Sequence, residues 1–197
     1  MASVNEHEWS LVDRFVASFE KLDDMCAFET DPVAQTLTAD DSDPQYGFKK
    51  WRPMHVETSP EYLEPIYSKL PARFPRIFER LVLSYRWADV DLRLFTLLAN
   101  PPGPDLSGWL AKTSFAILSP FLLQRGYIQF GQAADGRYDP VCFDISSRTK
   151  KRDYRVVQID HEEILCNDRL KLVAELAPSF EQLALNVIAE AEKGRQT

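Results

Sequence analysis

Glycine is scarce, with seven among 197 residues, and none stands in a G-x-G-x-x-G or G-K-[ST] run. A glycine-rich phosphate cradle is therefore absent. The three cysteines, Cys26, Cys142 and Cys166, are an odd number without C-x-x-C spacing. That argues against a disulfide framework or zinc knuckle and fits a reducing, cytoplasmic setting. The longest apolar stretch, FAILSPFLL at 115–123, is interrupted by Ser119 and Pro120. It falls far short of the ~20 residues that cross a bilayer. The start, MASVNEHEWS, lacks the basic and apolar regions of a signal peptide. The histidines His7, His55 and His161 are remote from one another, so no metal-ligand spacing arises. There is no G-x-S-x-G, and the cysteine–histidine pairs have no recognisable nucleophile context.

What is present describes an ordinary globular chain, 45% apolar and 27% charged, long enough for one domain. Its net charge of −7 is unevenly spread. Residues 1–45 hold eleven acids against the two bases Arg14 and Lys21, a net −9, while the remainder carries +2. Acid of this density disfavours nucleic acid and suits a basic partner, besides keeping a surface soluble.

Periodicity supplies the elements. Ser3 and Glu6 have capping-box spacing, and Trp9, Val12, Phe15, Val16, Phe19, Leu22 and Cys26 recur at helical intervals, predicting a helix over 4–27. Pro32, Pro44 and Pro53 mark 29–58 as a long connection, pinned by Tyr46 and Trp51. Ser59-Pro60 opens a helix that Pro71 ends, and Phe74, Ile77, Phe78, Leu81, Val82 and Tyr85 give the next. Alternation predicts a strand at 89–97, then a helical stretch at 105–125. Further strands follow at 127–131, 141–145 and 154–159. Pro178-Ser179 opens a last helix bearing Phe180, Leu183, Ala184, Val187, Ile188 and Ala191. This order predicts an α+β fold, a small mainly antiparallel sheet packed with helices. Residues 1–58 would form an acidic helix and connection lying on a 59–197 body.

The stretch DPVCFDISSRTKKRDYRVVQIDHEE, 139–163, holds the ligand and acid/base types Asp139, Asp144, Asp160, His161, Glu162 and Glu163. Asp139 and Asp144 lie an odd step apart and diverge across an extended chain, as do Asp160 and His161. With no further ligand nearby, the stretch reads as a structural hairpin without metal or cofactor. Arg148, Lys150, Lys151, Arg152 and Arg155 have only Tyr154 as an aromatic neighbour, so they read as a solvated loop.

LPARFPRIFERL, GYIQFGQAADGRYDPVCFDIS, YRVVQIDHEE and LAPSFEQLA occur in an order that resembles the SUKH superfamily, which includes bacterial immunity proteins and fungal cell-wall-synthesis regulators. The resemblance spans roughly 60–190. It falls on Leu70-Pro71, Phe130-Gly131, Phe143 and Asp144, Asp160-His161, and Pro178, Ser179 and Phe180. It implies a compact α+β domain that binds a protein, often a toxin of nuclease or deaminase type, without catalysis. An intracellular regulatory or scaffolding role is the second expectation. A hydrolase using the acids of 139–163 is the third. Asp40, Asp41 and Asp43 are the candidate partner contacts, because they combine excess negative charge with a proline-flanked, solvent-reaching connection.

Overall fold

Leu11, Val12, Phe15 and Val16 recur at three- and four-residue steps and are all buried, which fixes the inner face of α1 (Val4–Ala17). The computed structural model describes residues 4–28, 31–37, 47–101, 118–134, 136–149 and 152–193; the Ser3 cap and Tyr46 lie outside them. After Ser18 a single turn, α2 (Phe19–Leu22), continues the helical path. The helix expected over 4–27 stops there. Asp23 turns its carboxylate back onto the Met25 N–H at 2.6 Å, and Met25 takes a left-handed φ of 47°. This local side-chain turn competes with a further helical turn. Cys26 is consequently exposed in β1 (Cys26–Phe28) rather than on the helix stripe.

The connection 29–58 holds α3 (Pro32–Leu37), β2 (Phe48–Lys50) and β3 (Met54–His55), with β2 antiparallel to β1. Trp51 is buried and anchors it, donating its backbone N–H to the Met25 carbonyl at 2.9 Å. The helix expected from Pro60 divides into a 3-10 turn (Pro60–Leu63) and a short α4 (Glu64–Tyr67). Pro65 lacks the N–H that a continuous helix would need there. Leu70 packs half-buried on the core in the bend after α4, Pro71 stays exposed, and α5 (Arg76–Ser84) starts directly after Pro75.

The sheet is a six-stranded antiparallel meander, its order following the chain: β5 (Val90–Asp91), β6 (Thr96–Leu97), β7 (Tyr127–Gln132), β8 (Pro140–Asp144), β9 (Arg155–Ile159) and β10 (Leu172–Ala177). β4 (Tyr85–Arg86) pairs separately with β3. The single strand expected at 89–97 is thus two. Asp91 accepts the Arg93 N–H at 2.7 Å, Arg93 takes a φ of 62°, and the chain reverses. An aspartate turn overrides the alternation there. Of the helix expected over 105–125, α6 (Leu118–Gln124) is described and 105–117 lies outside the described residues. Besides the short β1 to β4 and α3, two longer elements were not anticipated: α7 (His161–Asn167), where a strand end was expected, and β10, whose Leu172 and Val173 are exposed.

Helices cover both faces. On one, α1, α5 and α8 (Phe180–Lys193) bury Phe15, Phe78 and Phe180 against Phe130, Phe143 and Val156 of the sheet. On the other, α6 and α7 bury Leu118, Leu122 and Ile164 against Cys142, Val157 and Ile159. The Cys142 thiol is fully enclosed, and burial pushes its pKa up, so it behaves as an apolar side chain. Gly131 sits at a β7 irregularity, where a Cβ would lie 2.8 Å from the Phe95 ring and 2.9 Å from the Thr96 carbonyl oxygen. Close backbone approach explains glycine at that position.

Candidate functional site

The acids of 139–163 do not converge, because the fold assigns each a different partner. Asp139, almost fully buried ahead of β8, accepts the His161 backbone N–H at 3.1 Å and meets His161 Nδ1 at 2.8 Å. Its second oxygen accepts Gln158 Nε2 at 2.9 Å. Asp144 lies directly across β8–β9 from Arg155 and pairs with it, while its other oxygen accepts the Ser146 backbone N–H at 3.0 Å. Asp160 caps α7, accepting the Glu163 N–H at 3.1 Å and Lys171 Nζ at 3.0 Å. Glu163 holds Arg169 at 2.8 Å, and Glu162 is exposed. Among the described residues, no group of three His, Cys, Asp or Glu side chains is placed to hold a metal. Strand alternation separates Asp139 from Asp144. The Asp139–His161 pair has no sequence signature, since folding β8 beside β9 joins residues 22 apart.

Burial pushes the Asp139 and Asp144 carboxyls upward, yet their hydrogen bonds outweigh it. His161, Gln158 and Arg137 hold Asp139 below the usual carboxylate range, and Ser146 and Arg155 do so for Asp144. Both folded values are depressed, so their stabilising contribution is present above the unfolded pKa of about 4 and is lost as pH falls through the folded values. Asp153 acts in the opposite sense. Burial raises it despite three backbone N–H donors, so its contribution fades as pH rises through its folded value. Asp144→Asn is therefore expected to cost about 1–3 kcal/mol at neutral pH and to flatten the loss of stability below about pH 4. Urea midpoints measured across acid pH check this; an unaltered acid slope would remove Asp144 from the explanation.

A second cluster is built around α5. Its Arg76 and Arg80, one helical turn apart, project toward α1, where the nearly buried Glu8 receives both. Arg76 Nη2 lies 3.0 Å from Glu8 Oε1 and Arg80 Nη2 3.0 Å from Oε2. The Arg80 guanidinium also stands 4.7 Å from the Trp9 ring centroid. Glu79, on the same helix, binds Arg152 Nη2 at 2.7 Å and accepts the Tyr67 hydroxyl. Burial, reinforced by Glu79, pushes the Tyr67 phenol well above its ordinary range and keeps its proton on.

Arg152 reaches this cluster from the β8–β9 connection. It adopts a left-handed φ of 55°, and its carbonyl accepts the Arg76 N–H at 3.2 Å. A non-glycine residue held in that region stores strain of order 1 kcal/mol. Its Nε is buried and lacks a hydrogen-bond partner among the described residues. Around these side chains lies a cleft of about 620 Å3 between α1, α5 and segment 55–60. A smaller hollow of about 320 Å3 shares Glu8, Arg76 and Arg152.

The five bases read as one solvated loop are thereby separated. Arg155 is a strand residue paired with Asp144, Arg152 belongs to the cleft, Arg148 is exposed, and Lys150 and Lys151 lie outside the described residues. Glu8, Arg76, Glu79 and Arg80 were not anticipated; the available signal was the single charged flank they make on two adjacent amphipathic helices. Asp40, Asp41 and Asp43 lie outside the described residues. Pro178 is exposed, Ser179 Oγ accepts the Gln182 N–H at 3.0 Å to cap α8, and Phe180 is core. No described helix is long and apolar enough to cross a membrane. The chain matches no protein-family model, no curated protein and no solved structure in the comparisons made.

Proposed function

We propose that the protein is a non-catalytic, protein-binding module of the kind the SUKH resemblance implies, holding and neutralising a basic partner such as a nuclease or deaminase toxin domain. The observation that carries this reading is the use of the polar groups of 139–163. Asp139, Asp144, Asp160 and His161 are each spent on an internal contact that joins strands, caps a helix or closes a turn. An acid/base or metal site needs such groups turned toward a shared point; these tie the scaffold together. The exposed Glu6, Asp13 and Glu20 on the outer side of α1 and α2 continue the acidic quarter to which Asp40, Asp41 and Asp43 belong. That field suits a basic partner and would speed its encounter.

Affinity capture from the native cell, read by mass spectrometry, tests the reading. A basic toxin domain is the expected catch. Its association rate should fall with ionic strength, and less steeply for a variant with Asp40, Asp41 and Asp43 all changed to Lys. Capture of a cell-wall-synthesis or signalling protein instead would transfer the assignment to the regulatory role.

A further inference from the structure

We infer that α7 is a lid over the edge of the second apolar cluster, hinged at the ends of β9 and β10 and latched by the Asp139–His161 pair. The helix occupies a loop whose stem is closed. The Asp160 N–H donates to the Lys171 carbonyl at 2.9 Å, and Lys171 Nζ meets the Asp160 carboxylate at 3.0 Å. Residues 161–170 can therefore leave the sheet without breaking a rung of the β9–β10 ladder, whose register begins at Ile159 and Leu172. At the far end of the helix Asp168 takes a left-handed φ of 48°, which turns the chain back toward the stem.

Little apolar surface holds the lid down. Ile164 is the one residue α7 buries, and Leu170 adds a half-buried contact, whereas α8 buries Phe180, Leu183, Ala184, Val187, Ile188 and Ala191. Leu165, beside Ile164, is 52% exposed and gives no second anchor. Glu163 bonds Asn167 at 3.0 Å and Arg169 at 2.8 Å, but both partners belong to the same loop and move with it. The polar tie from the body is Asp139, which accepts the His161 N–H, meets its Nδ1 and is steadied by Gln158. Segments with few buried contacts and polar fastenings open locally at a fraction of the global unfolding free energy. Ile164 shares its cluster with Val157 and Ile159, both fully buried while the lid is closed. Opening bares these strand side chains close to the exposed Leu172 and Val173 of the edge strand β10.

This inference is independent of the proposed protein partner and is tested on the full chain alone. Native-state hydrogen exchange in low urea should show the amides of 165–168 exchanging faster than those of β9, through an opening insensitive to urea. The Asp160 amide, in the stem, should keep protection like that of β9. His161→Ala, which removes the ring contact with Asp139, should speed exchange in α7 about tenfold, one charge-assisted hydrogen bond's worth, and leave Asp160 and β9 unchanged. Ile164→Ala, which removes the apolar hold and keeps the latch, should give the same pattern. A thiol at the covered edge reports exposure directly. In a chain carrying Cys26→Ser, Cys166→Ser and Ile159→Cys, the thiol placed at 159 should react with Ellman's reagent about tenfold faster once His161→Ala is added. Three results would each overturn the inference. One is an Asp160 amide that exchanges together with α7, which is fraying of the whole hairpin end. Another is α7 sharing the protection and urea dependence of β9. The third is a reaction at 159 that His161→Ala does not change.

Discussion

Phe143→Ala is expected to lower stability by about 3–5 kcal/mol and the melting temperature by roughly 10 °C or more. Phe143 is fully buried on β8, stacked on Phe130 at 4.1 Å between centroids with 9° between planes. Its ring also meets Phe78 edge-on at 5.1 Å and Phe180 at 5.9 Å. Sheet, α5 and α8 therefore share this ring, and none can close the void without leaving another contact. The penalty combines lost transfer energy with the unfilled cavity, to which the aromatic pairs add about 0.5–1.5 kcal/mol each. Urea denaturation measures it. A midpoint within error of the native one would mean that β8 does not face the helices with Phe143.

Asp153→Ala should be nearly as damaging, at about 2–4 kcal/mol, more than a surface helix cap delivers. This largely buried carboxylate accepts the Tyr154 N–H at 2.8 Å and, from 27 and 28 residues downstream, the Phe180 N–H at 2.9 Å and the Glu181 N–H at 3.2 Å. It caps α8 from the chain just ahead of β9, fixing the last helix to the sheet. Removing it strands backbone donors in a site that water reaches poorly. Ser179→Ala, which loses one exposed cap bond, should cost only about 0.5–1 kcal/mol. Hydrogen exchange supplies an independent reading, since Phe180 and Glu181 amides should lose protection in Asp153→Ala alone. Equal costs for the two substitutions would reduce Asp153 to an ordinary surface cap.

The helical stripes of 4–22 and 180–191, and the strands expected at 127–131, 141–145 and 154–159, could be read from the chain because each depends on a local period that burial then enforces. Leu183, Ala184, Val187 and Ile188 are spaced for one helix face whatever that face meets. Two of the errors fell where a short polar side chain redirects the backbone against the period. Asp23 ended a helix and Asp91 folded one expected strand into two. These turns cost nothing in pattern, so apolar spacing runs through them unmarked.

The amino-acid sequence by itself determined the α+β class, the acidic amino-terminal quarter and the alternation that keeps Asp139 and Asp144 apart. Tertiary structure decided the partners. Asp153 meets α8, His161 meets Asp139, and Arg152 meets Glu79 across 73 residues of chain. Such pairs are set by how elements stack, and a carboxylate has the same local appearance whether it will cap a helix, orient an imidazole or face solvent. The cleft is the extreme case: its arginines and carboxylates come from two helices and two connecting segments, and only packing makes them neighbours.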